Sequence, residues 1–197
     1  MVTLAGQLYG AGFADGTGSA ANFFYPYGVA MDATATAAFV CDKSNNRVRR
    51  VSIATGAVTS IAGDGTRGCV DGVGTAAQFS SPVGIAVNAA GSFAVVVSLI
   101  DGGLATRWNN PLSLPSSSFS SPQVDSASFL VRSIEIQAGR VATLSGQCNS
   151  PGFADGARAL SMFALPSGVA FIFGESAVVV VRTEIVLLFT VRVCLRF

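Results

Sequence analysis

Between Pro26 and Gly63 the apolar residues come in short runs, each closed by a polar or glycine-bearing stretch. "YGVAMD" runs into "DATAT", "AAFVCD" into "DKSNN" and "RVRRVSI" into "ATG", and "AVTSIAG" closes the segment. Runs this short, bounded by Asp, Asn, Ser and Gly, predict four strands joined by tight turns. "RVRRVSI" alternates basic and apolar residues at period two, which predicts a half-exposed third strand. No segment has the length and period of a major helix. One helical turn is expected around Ser19–Phe23, where the Ala-rich "GSAANF" leads into a proline.

The pattern recurs along the chain. "GFADG" stands at Gly12–Gly16 and again at Gly152–Gly156, with "CVDG" at Cys69–Gly72. Three copies align on these Asp-Gly pairs: Asp15 to Phe23, Asp71 to Phe79 and Asp155 to Phe163 are each eight positions apart. Pro26, Pro82 and Pro166 follow those phenylalanines by three, and Gly28, Gly84 and Gly168 follow the prolines by two. Asp15 to Asp71 is 56 positions and Asp71 to Asp155 is 84, a surplus of 28. "VRRVSIATGAVTSIAG" (Val48–Gly63) matches "VRSIEIQAGRVATLSG" (Val131–Gly146), so the surplus lies between Ser98 and Leu130. That stretch contains "NNPLSLPSSSFSSPQ", an insertion of loop composition inside one repeat.

Four strands per repeating unit predict β-propeller blades. One four-stranded sheet cannot bury both of its faces, whereas blades stacked around an axis hide them. The small residues of the first strands (Gly28, Ala30; Gly84, Ala86; Gly168, Ala170) suit a crowded centre. The expected class is therefore all-β, a propeller of four-stranded antiparallel blades, with about three blades in an incomplete or open ring. The boundaries are an outer strand of a preceding blade over 1–6 and blade one over 26–63. Blade two covers 82–146 with the insertion at 98–130, and a degenerate blade three covers 166–197.

"GFADGxGxAAxFxxPxGVAxD", then "VxDxxNxRVRRV" and "VTxIAG", resembles the NHL-repeat propellers. The resemblance covers Leu4–Gly63, Val58–Val97 and Val131–Ala170, and fails in Ser98–Leu130 and after Phe171. Ser98 stands where Asp42 stands in the first repeat, and the last residues keep strand character without the Asp and Asn-Arg marks. The family implies a ring of about six blades, within the usual range for propellers. An open arc would leave apolar sheet faces in water. Three explanations stand: a fragment of a longer protein, pairing of two half-rings with self-association through the open edges, or a degenerate product.

Composition narrows the chemistry. The chain of 197 residues carries net charge +1, so no global field draws it to nucleic acid or an anionic membrane. It contains no histidine, the commonest general base and metal ligand. Cys41, Cys69, Cys148 and Cys194 form no CxxC pair, and isolated buried thiols are expected, with a Cys69–Cys148 bridge as the minority reading. The start "MVTLAGQLYG" lacks the basic and apolar regions of a signal peptide, and Asn149-Ser150 is followed by Pro151, which spoils a glycosylation sequon. The compartment stays open, with the inside of the cell slightly favoured.

Strand polarity puts the turns from fourth to first strand and from second to third strand on one face. Asp15, Asp71, Asp155, Asn45, Asn46, Arg47 and the insertion are expected there as the candidate ligand-binding face. The plain alternative is a clasp that joins blades, with Asp bonding turn amides and Phe13 or Phe153 tucked under the loop. "GDGTRG" (Gly63–Gly68) fits GxGxxG but no helix follows to receive a phosphate. The Asp-Gly loops lack a DxDxDG run for calcium. "IVLLFTV" (Ile185–Val191) is too short to span a bilayer and reads as a buried strand. The leading expectation is a non-enzymatic propeller serving as a binding or scaffold surface for proteins, with no cofactor and no metal. An enzyme with a metal on the propeller axis is the alternative, for which the first strands offer Asp32, Asn88 and Ile172. An RNA-binding surface built on "NNRVRR" is a further alternative.

Overall fold

The bounding polar side chains make the turns. Asp32 Oδ1 accepts the Thr36 N–H at 2.7 Å and the Ala37 N–H at 3.2 Å, closing the first hairpin. Asn88 repeats this in the next unit, its Oδ1 accepting the N–H groups of Ser92 and Phe93, each at 2.9 Å. Both residues are thereby Asx-type turn formers. The structure, a computed structural model, describes residues 2–100, 128–148, 166–172, 177–182 and 189–191.

The first unit is β1 (Gly16–Thr17), β2 (Pro26–Met31), β3 (Ala37–Asp42), β4 (Arg47–Ser52) and β5 (Ala57–Ala62). The second is β6 (Gly72–Val73), β7 (Pro82–Val87), β8 (Phe93–Ile100), β9 (Ser128–Glu135) and β10 (Arg140–Ser145). The third is β11 (Pro166–Ile172), β12 (Ala177–Arg182) and β13 (Phe189–Val191). They form three antiparallel sheets, ordered β1-β5-β4-β3-β2, β6-β10-β9-β8-β7 and β11-β12-β13. The protein is all-β, with propeller blades in an open, partial ring.

The blades stack through their first strands, β2 on β7 and β7 on β11. A Cβ at Gly28 would collide with the Val83 carbonyl oxygen, so the close approach of β2 to β7 requires glycine there. One core lies between blades one and two. Phe39, Cys41, Val48 and Ala62 of the first meet Phe79, Ile85, Val96, Ile134 and Val141 of the second. The next lies on the opposite face of blade two, where Val83, Val95, Val97, Val131 and Leu144 pack with Val169 of β11.

Several expectations change. The blades carry a fifth strand, because the residues after each motif Asp pair with the outermost strand: Gly16 faces Val58, and Gly72 faces Val141. Val2–Gly6 forms no strand; the Gly6 N–H is held by the Gly18 carbonyl at 3.0 Å. The helical turn is a 3-10 turn over Gly18–Ala20, earlier than expected. Strands β8 and β9 pair out to Ile100 and Ser128, so both ends of the expected insertion belong to the sheet. Cys69 and Cys148 are disulfide-bonded, against the expectation of isolated thiols; their Cα atoms lie 6.2 Å apart because equivalent loops flank blade two. Cys41 is free and buried, and burial pushes its thiol well above the usual range. Cys194, Phe153, Asp155 and residues 185–188 lie outside the described residues. Phe189–Val191, the end of the apolar "IVLLFTV" run, pairs with β12. Among the described residues no helix is long and apolar enough to cross a membrane.

Candidate functional site

The alternation in "RVRRVSI" breaks at its second residue. Between Val48 and Arg49 the pairing of β4 with β5 shifts register, Val48 facing Ala62 and Arg49 facing Ser60. The equivalent shift recurs between β9 and β10, Val131 facing Ser145 and Arg132 facing Thr143. Arg49 and Arg132 are both fully buried. A guanidinium taken out of water needs carboxylates and carbonyls around it.

The Asp-Gly motif provides them. Arg49 donates from Nε and Nη2 to Asp15 Oδ1, at 3.1 and 2.7 Å, and from Nη1 to Asp42 Oδ2 at 2.7 Å. It also donates to the Asn22 and Ala14 carbonyls. Asp15 further accepts the Ser60 N–H of β5 at 3.1 Å. Blade two repeats the set: Arg132 donates to Asp71 at 2.6 Å and to the Gln78 and Val70 carbonyls, and Asp71 accepts the Thr143 N–H at 2.9 Å. Asp15 and Asp71 therefore each tie their loop to the third and fourth strands of the blade they precede. Both are half-exposed and sit beside the outermost strand.

Blade two lacks one part. Ser98 stands in place of Asp42, so among the described residues Arg132 has a single carboxylate, Asp71. Its Nε and the Ser98 Oγ are buried with no hydrogen-bond partner among the described residues. Burial pulls the Arg132 pKa below the usual guanidinium range, and Asp71 opposes that shift.

The Asn-Asn-Arg turn joins blade to blade. Asn45 Nδ2 donates to the Gly12 carbonyl and to Asp42 Oδ2, both at 2.8 Å. Asn46, with φ +50°, donates to the Gly65 carbonyl at 3.2 Å and accepts the Ser81 N–H at 2.9 Å. Arg47 Nη2 donates to the Asp64 carbonyl, and its guanidinium lies 4.0 Å from the centre of the Phe13 ring. Burial alone would raise the Asp64 carboxyl, but Gln78, Thr66 and Arg47 outweigh it and hold the group below its ordinary value. The structure thus gathers Asp15, Asn45, Asn46 and Arg47 around the loops at 12–15 and 63–66. Asp71 lies in the equivalent loop of blade two, and Asp155 is outside the described residues.

Sequence reasoning passed over Arg49 and Arg132. The available signal was that they occupy the same column in the first two repeats. It also passed over an aromatic rim. Phe24, Tyr25 and Tyr27 are exposed, with the Phe24 and Tyr25 rings 5.2 Å apart and the Lys43 ammonium 5.7 Å from the Tyr27 ring. Tyr25 is 73% exposed with φ +48°, a left-handed conformation that is costly for a bulky residue. The Phe24 N–H, donated to Asp42 Oδ1 at 2.8 Å, fixes the chain beside it. Blade two has the same left-handed turn at Ser81, but carries Ser80, Ser81 and Val83 in place of the three aromatics. Among the described residues no three of His, Cys, Asp and Glu come together as metal ligands.

No family model matches the chain, and no curated protein matches it. Solved structures do. The chain is similar to an auxiliary nutrient binding protein from Bacteroides thetaiotaomicron, at 16% identity and a TM-score of 0.51, over 84% of this chain and 36% of that one. It is also similar to an auxiliary nutrient binding protein from Bacteroides ovatus, at 19% identity and TM-score 0.45, over 82% and 35% of the two chains. A third similarity is to Kuenenia stuttgartiensis hydrazine synthase, at 16% identity and TM-score 0.46, over 88% and 33%. The chain spans about a third of the length of each. At this identity the likeness concerns the fold alone, and the first of the three shares the propeller-like architecture.

Proposed function

We propose that this chain is an NHL-type β-propeller segment acting as a non-enzymatic binding or scaffold module, and that its partner is a protein. One observation carries the reading. Comparing two repeats of one chain separates what the fold needs from what it does not. Asp15 and Asp71, Arg49 and Arg132, and Phe23 and Phe79 are the same in both because they build the blade. Phe24, Tyr25 and Tyr27 are present only in blade one, are exposed, and are held on a strained turn. Exposed, rigid aromatics with a cation beside them are the usual anchors of protein interfaces. Asp15, Asn45, Asn46 and Arg47 hold the loops at 12–15 and 63–66, and Asp71 holds the corresponding loop of blade two. The description of the Bacteroides thetaiotaomicron structure as an auxiliary nutrient binding protein is in keeping with a binding role.

The test is quantitative cross-linking and affinity purification with the wild-type chain and with Phe24→Ser/Tyr25→Ser. Loss of the same partners from the variant, with unchanged circular dichroism, supports the reading. An unchanged partner set sinks it. A stoichiometric metal in purified protein, with turnover of a small substrate, would replace it with the enzyme reading.

A further inference from the structure

Blades one and two join the same two positions by different means. In each, the loop that enters the blade meets the segment that leaves it. Cys69 of the second entry loop occupies the place of Phe13, two residues before the motif Asp. Cys148 is the second residue after Gly146, as Gly65 is the second after Gly63. Those two glycines share a positive φ, +97° and +101°, so the two exit segments turn alike.

In blade one a guanidinium stands between the two positions. Arg47 lies 4.0 Å from the centre of the Phe13 ring, and a Cβ at Gly65 would meet its Nη1. Arg47 also donates to the Asp64 carbonyl, and Asn46 donates to the Gly65 carbonyl. Blade two has Leu130 in place of Arg47, paired with Ser98 as Arg47 is paired with Asp42. It has Phe129 in place of Asn46. Neither Leu nor Phe has a side-chain donor for a carbonyl. The Cys69–Cys148 bond joins the two positions instead.

A guanidinium held by a ring and a carbonyl is indifferent to redox conditions, whereas a disulfide is made and broken by two electrons. Cys148 is exposed and Cys69 half-buried, so an attacking thiolate has access to the Cys148 sulfur. We infer that Cys69–Cys148 is a redox-sensitive latch on blade two, opened by a dithiol reductant. One thiolate of the reductant attacks Cys148 Sγ, the S–S bond breaks, and Cys69 leaves as a thiolate that takes up a proton. The second thiolate of the reductant attacks the mixed disulfide and closes the reductant's own disulfide. Cys148 is released and takes up a second proton. The protein disulfide is thereby reduced by two electrons and the dithiol is oxidised. The exit segment 146–148 then loses its tie to the entry loop, while Asp71 keeps that loop on Arg132 and Thr143. Blade one, bracketed by Arg47, stays closed in both states. The latch stands apart from the aromatic rim and from the proposed partner.

The experiment equilibrates the full chain, without denaturant, at graded ratios of reduced to oxidised dithiothreitol, then labels free thiols with N-ethylmaleimide and reads them by peptide mass spectrometry. Cys69 and Cys148 are expected to become labelled together, while Cys41, free and buried, stays unlabelled. Hydrogen exchange over 146–148 is expected to rise by about 30-fold or more on reduction, the equilibrium factor matching the low end of a disulfide's contribution. Exchange in the loops at 12–15 and 63–66 is expected to stay unchanged. Cys69→Ser/Cys148→Ser should show the reduced pattern without any reductant. Arg47→Leu should speed exchange of the Asp64 amide, which donates to the Ala77 carbonyl, equally in both redox states. A bond that yields only when Cys41 also becomes labelled is a static cross-link and overturns the inference. So do free thiols at both positions in oxidised buffer, reduction that leaves exchange at 146–148 unchanged, or an Arg47→Leu variant with wild-type exchange at Asp64.

Discussion

Asp71 is the residue on which the two blades are expected to part company. Asp71→Asn removes the carboxylate that, among the described residues, alone faces Arg132, whose guanidinium is fully buried and whose Nε has no partner among them. Breaking a buried pair by deleting one partner costs about 3–5 kcal/mol, mostly from the charge left behind. Asp71 is 48% exposed, so water partly replaces it and the lower end, about 3 kcal/mol, is expected. Asp15→Asn is the matched control. Arg49 keeps Asp42, itself fully buried at 2.7 Å, so the loss is about 1.5 kcal/mol, the low end for a hydrogen bond to a charged group. The difference of roughly 1–2 kcal/mol corresponds to about 2–8 °C in Tm for a chain of this size. Urea unfolding monitored with hydrogen exchange should place the Asp71→Asn loss in β9 and β10 and the Asp15→Asn loss in β4 and β5. Ser98→Asp should recover part of the Asp71→Asn loss by restoring the second carboxylate. Equal losses in the two variants, or a larger loss for Asp15→Asn, would refute the claim that the second carboxylate makes the difference.

Three further outcomes are expected. Cys69→Ser, or reduction of the wild type, should lower stability by about 2–4 kcal/mol by releasing the loops that flank blade two, read from urea midpoints with and without reductant. Gly28→Ala should separate β2 from β7 and cost about 1–3 kcal/mol, as overpacking does, without affecting the β11–β12 amides in hydrogen exchange. The Thr36 hydroxyl and the turn amides hold the Asp32 carboxylate below its usual pKa. Its contribution is therefore complete above the unfolded value of 3.8 and is lost as pH falls through the lower folded value. The penalty of Asp32→Ala at neutral pH should shrink toward zero in acid; a penalty independent of pH would show that the charge plays no part.

The sequence by itself determined the repeat, the strands and the turns. Asp32, Asn88 and the glycines act on neighbours a few positions away, so their effect is legible in a short window of chain. The three copies of Asp, Phe, Pro and Gly at fixed spacing also determined that the units stack as blades. Tertiary structure alone decided what those aspartates hold. Arg49 reads as a solvated cation in an alternating strand, and only the register shift against β5 turns it inward to Asp15, 34 positions away. The Cys69–Cys148 bond joins residues 79 positions apart that meet because blade two brings its two flanking loops together. Val29 and Ile85 are equivalent in sequence and opposite in exposure, because blade one covers Ile85 while among the described residues no blade covers Val29. A local pattern records which way a side chain points relative to its strand; burial depends on what arrives from far along the chain to cover it.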